Sequence, residues 1–211
     1  MVKQSRSGPV MQAVLTAVVE RLMTGDEALI RIPEICEATG VNYGSVYHHF
    51  GSREGVIDAA YLAIYTRLIN EDIDSLRMIN ESSSSREEFI DEIRQVLKHF
   101  SPDHDQAAKQ EIRVRILAAA MTRPELRASI GLAQTRLADE LMRVIEFGQD
   151  REWLRGDVSA HYIGLCLRAI MFGRTVVYVS FPPIDDREWE RMMNVIFSQM
   201  LNPMESLGPR V

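Results

Sequence analysis

From Val10 to Met200 the apolar side chains return at i, i+3 and i+4 rather than at every second position, the spacing that turns one helix face toward a core. No stretch alternates as a half-buried strand would. The sequence therefore predicts an all-α fold, cut into pieces by glycine, proline and serine. Val10, Ala13, Val14, Ala17, Val18 and Leu22 mark a first helix over residues 10–23, and Gly25 and Asp26 interrupt it. Ile32, Ile35, Cys36 and Thr39 mark a short second helix, with Pro33 suited to its first turn. Gly40 stands where a chain leaving a helix needs positive φ, and Asn42 can cap a new helix beginning at Tyr43 or Gly44. Helix, tight turn and helix in such quick succession make a helix-turn-helix, with small Cys36 and Gly40 at the close approach and Val46 pointing inward.

Beyond it a long helix is predicted from Arg53 to about Ile79, ended by the serines at 82–85. Ser85 and Glu88 have the spacing of a capping box for a helix through Phe100. Further helices read as 104–121, 124–147 and 157–180, separated by Pro102, Pro124 and the "GQDREWLRGD" loop. A last one spans about 185–201, striped by Trp189, Met192, Met193, Ile196, Phe197 and Met200. With 211 residues, 46% hydrophobic and 26% charged, the chain has room for two domains, a helix-turn-helix domain over 1–56 and a larger helical domain over 57–211.

No apolar run approaches the roughly 20 residues of a membrane span, and "MVKQSRSGPV" has no apolar signal core, so a cytoplasmic chain is expected. Cys36 and Cys166 lie far apart among apolar neighbours and read as buried, reduced thiols. A net charge of −6 argues against bulk attraction to nucleic acid, yet residues 1–53 balance five basic against five acidic side chains, so the acid excess lies downstream.

The stretch "GVNYGSVYHHFGSREGV" carries no acidic side chain before Glu54. On a helix turning about 100° per residue, Val46 and Phe50 share the inner side and Tyr43 falls near its edge. Gly44, Ser45, Tyr47 and His48 fan over the outer side, with His49 on a flank. Hydroxyls and imidazoles there can bond phosphate oxygens or base edges, and bare Gly44 lets the helix N-terminus approach closely.

The run "IPEICEATGVNYGSVYHHFGSREGVIDAAY" closely resembles the signature of the TetR family of bacterial transcriptional repressors, matched at Gly40, Val41, Gly44, Tyr47, His49, Phe50 and Glu54. Cys36 and Thr39 stand where alanine is usual and Arg53 where lysine is, changes that keep size or charge. "TRPELRA" at 122–128 and "AIMFG" at 169–173 are similar to features of the family's second domain. The resemblance implies that Tyr47, His49 and Arg53 clamp phosphates, that Asn42, Tyr43, Gly44, Ser45 and His48 meet base edges, and that Arg31 reaches a flanking phosphate. Only Asn42 among them is a usual bidentate base reader, so specificity is expected to lean on Ser45, His48 and DNA shape.

A single helix-turn-helix makes few contacts, so such modules act as symmetric pairs on two half-sites. The helix over 157–180 is apolar nearly all round, which implies burial on more than one side, and with the last helix it is expected to form a homodimer interface. The resemblance also implies an effector cavity bounded by the long helix and those at 104–121, 124–147 and 157–180, with no lining residues legible. Arg113 and Arg115 face differently and read as ion-paired rather than as an anion site. His99, Asp103, His104 and Asp105 follow no metal-ligand spacing. The sequence carries no nucleophile elbow, phosphate loop, cofactor motif or acid/base constellation, so no enzyme is expected. The expected function is a homodimeric DNA-binding repressor released from its operator by a small-molecule effector. The alternative is a helical adaptor with a non-DNA-binding helix-turn-helix and a protein partner.

Overall fold

The computed structural model describes residues 7–98, 104–177 and 185–201. Among them the regular elements are all helical, as expected: α1 (Ser7–Thr24), α2 (Ile32–Thr39), α3 (Tyr43–Phe50), α4 (Arg53–Ser82), α5 (Arg86–Lys98), α6 (His104–Thr122), α7 (Pro124–Asp150), α8 (Ala160–Val177) and α9 (Asp186–Leu201). A 3-10 turn over Glu27–Leu29 separates α1 from α2. The described residues divide into two compact units. One holds those up to Leu68 together with Arg115–Gly131, and the other holds Ile69–Val114 and those from Leu132 on.

In the first unit α1, α2 and α3 pack on one another. Met11, Val14, Val18 and Leu22 form the buried face of α1, whereas Val10 and Ala13, expected on it, are exposed. The stripe through Met11 keeps helical spacing and buries a larger side chain than one led by Val10 and an alanine. Asp26 starts the 3-10 turn by accepting the Ala28 N–H at 2.8 Å. Pro33 sits in the first turn of α2, where no helical N–H partner is required. Ile32, Ile35 and Cys36 then point inward, and burial pushes the Cys36 thiol up from its ordinary value.

The second unit is built around Leu76, Ile79, Phe89, Val144, Ile145, Leu154, Ile163 and Phe197. Ser85 caps α5 by accepting the Glu88 N–H at 3.2 Å, but the reciprocal arm of the predicted box is shifted by one residue. Glu88 accepts from both the N–H and the hydroxyl of Ser84, at 2.8 and 2.6 Å, because the longer reach secures two donors instead of one. The predicted "GQDREWLRGD" loop is displaced toward the C-terminus: Gly148, Gln149 and Asp150 complete α7, and α8 starts at Ala160. Gly148 stays helical with its bare Cα under Leu154 and Phe89, and its carbonyl accepts from the Trp153 and Leu154 N–H groups at 2.9 and 3.1 Å. Asp185 caps α9 through the Arg187 and Glu188 N–H groups.

Arg113 is paired as expected, gripping Asp72 through two bonds of 2.7 and 2.9 Å. Arg115, in the first unit, donates to the Gly25 carbonyl at 2.6 Å. Cys166 departs from the buried reading and is exposed, because α8 turns only its Ile163 and Leu167 side into the core. The stretch with His99, Asp103, His104 and Asp105 lies outside the described side chains. Among the described residues, no group of three or more His, Cys, Asp or Glu could hold a metal ion, and no helix is long and apolar enough to cross a membrane.

Candidate nucleic-acid interface

Two backbone features set α3 at its angle. At Gly40 the chain turns left-handed (φ 67°, ψ 17°), where any side chain would be strained. The Val41 N–H bonds the Cys36 carbonyl at 3.1 Å and the Gly40 N–H bonds the Glu37 carbonyl at 3.4 Å, a Schellman closure of α2. Asn42 then caps α3, its side-chain oxygen accepting the Gly44 N–H at 2.8 Å. That bond has a chemical consequence. Reading an adenine in two-point fashion needs the Asn42 oxygen as well as its amide nitrogen, so the oxygen would have to use its second lone pair on the base while the first holds the cap.

Val46 is fully buried and anchors α3 on the unit's core. Around it the outer face is open: Asn42, Tyr43, Gly44, Ser45, His48 and His49 are exposed, and Tyr47 and Phe50 are half-buried. Tyr43 is 47% exposed, so it belongs to the outer face and not to the inner edge where the helical wheel puts it. Its ring leans on Tyr47, with centroids 4.5 Å apart. This pairing lifts Tyr43 outward, since a tyrosine stacked on a neighbour needs no core pocket. The Tyr43 hydroxyl, chiefly, pushes the Tyr47 phenol up from its ordinary value, which keeps it a neutral hydrogen-bond donor. His49 meets Phe50 edge-on at 4.6 Å.

At the end of α3, Gly51 again takes positive φ (79°) and closes on the Tyr47 carbonyl at 2.9 Å. Ser52 caps α4 by accepting the Gly55 N–H at 3.0 Å. Gly55 is the tightest point of the turn: a Cβ there would lie 2.0 Å from the Phe50 carbonyl oxygen.

The expected cations are partly spent on the protein itself. Arg53 donates to the Ile30 carbonyl at 3.2 Å and to the Glu27 carbonyl at 2.5 Å, and lies 3.6 Å from Glu54. Arg31 donates one nitrogen to the Ala28 carbonyl at 2.9 Å and is exposed. Arg53 thus braces the turn ahead of α2 from the first turn of α4, a role its position in the motif does not reveal.

The same turn is held by residues that sequence reasoning passed over. Arg123 joins Glu27 at 2.6 Å and Asp58 at 2.7 Å, and the Tyr61 hydroxyl donates to Glu27 at 3.0 Å. Burial first, and then the Glu27 carboxylate, push the Tyr61 phenol up to about 12. The only hint was the arginine of "TRPELRA", whose partners lie 65 and 96 positions away.

Residues 30–60 match the sequence model of "bacterial regulatory proteins, tetR family", the stretch that contains α2, α3 and the start of α4. No curated protein matches the chain. Among solved structures, a protein of Mesorhizobium loti described as a TetR-family transcriptional regulator aligns with a TM-score of 0.71 at 14% identity, covering 94% of this chain and 100% of that one. A transcriptional regulator from Saccharomonospora viridis, solved in complex with choline, aligns with a TM-score of 0.68 at 14% identity, covering 92% and 97%. A TetR-family regulator from Rhodococcus aligns at 0.64 and 16% identity, covering 92% and 98%. These identities speak for the fold, and the motif match speaks for the reading head. The chain thus carries the sequence pattern of TetR-family regulators across its helix-turn-helix and shares the fold of these solved regulators over more than nine-tenths of its length.

Proposed function

We propose that the chain acts as a homodimeric, cytoplasmic repressor whose α3 enters the major groove of operator DNA and which a small-molecule effector releases. The observation that carries this reading is the outer face of α3, open, polar and free of carboxylates up to Glu54, on a helix whose cap and buried anchor fix its direction. In this reading residues 1–56 form the reading head and 57–211 the effector and dimerisation part. Tyr47, His49 and Arg53 hold phosphates, with Arg31 on a flanking one. Asn42, Tyr43, Gly44, Ser45 and His48 face the bases.

Dimerisation runs through α8 and α9. Tyr162, Leu165 and Phe172 on α8, and Met192 and Val195 on α9, are exposed large apolar side chains that a second copy would cover. The choline held by the Saccharomonospora protein supports a small molecule as the class of effector. Release requires that the effector favour the conformation that does not bind DNA.

Selection of duplexes from a random pool, followed by titration with variants, tests the reading. Tyr47→Ala should weaken binding to every duplex about alike with the salt slope unchanged, since a neutral phenol displaces no counterion, whereas Ser45→Ala or His48→Ala should change the order of preference among duplexes. Failure to enrich any sequence would favour the adaptor with a protein partner.

A further inference from the structure

In the second unit, α4 and α7 enclose a groove of about 480 Å³, within the range of small-molecule sites. Its lining is charged rather than apolar. Glu140, 5% exposed, accepts at one oxygen from Arg77 at 3.2 Å and from Arg143 at 2.7 Å. Two guanidiniums on one carboxylate leave a surplus positive charge beside a buried group. Arg136 adds a third, held among the described residues only by the neutral amide of Asn70 at 2.8 Å.

These contacts do not exhaust the donors. Arg143 uses Nη1 alone on Glu140, which leaves the Nε and Nη2 edge that takes a carboxylate side-on. Arg136 likewise spends one nitrogen, Nη2. An anion alone would nevertheless meet Asp74 and Asp139, which line the same groove. Asp139 makes no hydrogen bond or ion pair among the described residues, and Asp74 lies 3.9 Å from Arg77. Three arginines and three carboxylates around one small volume are balanced in sum but uneven in commitment: the inner carboxylate already holds two guanidiniums, and the outer two are open to a cation.

We propose that this groove binds a small zwitterion of the free α-amino-acid type, with its carboxylate on Arg143 and Arg136 and its ammonium on Asp139 and Asp74. The ligand's own charge separation satisfies both sets, which neither a simple acid nor a simple amine does. That such binding would serve as the effector signal rests on the regulator reading above; the binding itself does not.

The test is calorimetric titration of the full chain with the twenty free L-amino acids, and of each hit with its decarboxylated amine and its deaminated acid. At least one amino acid should bind with a Kd below about 1 mM, and the amine and the acid should each bind at least about tenfold more weakly. Arg136→Ala and Asp139→Ala, both at exposed positions, should each weaken the hit about tenfold or more, while Arg94→Ala, outside the groove on α5, should leave it unchanged. Absence of binding across the set overturns the proposal, as does an acid or amine that binds equally well, or affinity indifferent to both groove variants. An amino acid that binds through these residues but leaves affinity for the selected duplex unchanged upholds the site and removes its role as the effector signal.

Discussion

Arg123 shows how much one side chain does in this fold. It neutralises Glu27 and Asp58 at once, and Tyr61 completes the shell of Glu27. Arg123→Ala would take the bridging guanidinium from two half-buried carboxylates, so the chain should lose about 1–3 kcal/mol of stability in urea denaturation. Affinity for a selected duplex should fall with it, because the turn ahead of α2 loses a brace, whereas Arg123→Lys should recover part of both. Tyr61 offers a spectroscopic check. Its folded pKa is raised from 10 to about 12, so the neutral phenol contributes stability in full below pH 10, and this is lost as pH rises toward about 12. Absorbance titration should show one phenol ionising well above the others, absent in Tyr61→Phe, and that variant should lose less of its stability than the parent between pH 10 and 12.

Among the elements, α3 depends most on backbone that tolerates no side chain. Gly40→Ala meets no atom within 4 Å, so its cost is conformational, about 1–2 kcal/mol for the left-handed backbone. Gly55→Ala is of another kind, since its Cβ would lie 2.0 Å from the rigid Phe50 carbonyl and the α3–α4 turn must open. Its denaturation midpoint should fall below that of Gly40→Ala, and DNA affinity should drop more than stability predicts, because the turn that opens carries the C-terminal end of α3. Local rules made these elements legible. The Gly40 turn, the Asn42 cap and the Pro33 start each follow from neighbours in the chain. The cap of α5 and the end of α7 were misread by a residue or a few, because Glu88 had two serines to choose from and Gly148 gains packing by staying helical.

For the molecule as a whole, the proposed dimer rests on the apolar side chains that α8 and α9 leave exposed. Leu165→Asp, at a position 52% exposed in the single chain, should leave folding intact yet shift light scattering from dimer toward monomer at micromolar concentration. Operator affinity should then drop steeply, since each half-site would be bound alone. The sequence by itself determined the helical class, the helix-turn-helix and the residues on its outer face, because periodicity, caps and positive-φ glycines act over a few consecutive residues. Only the tertiary structure decided that Arg123 meets Glu27, that Arg53 braces a turn, that Tyr43 points outward and that Cys166 is exposed. Those outcomes depend on which distant helices pack together, and the strength of an ion pair or the burial of a ring is set by neighbours that no local spacing encodes.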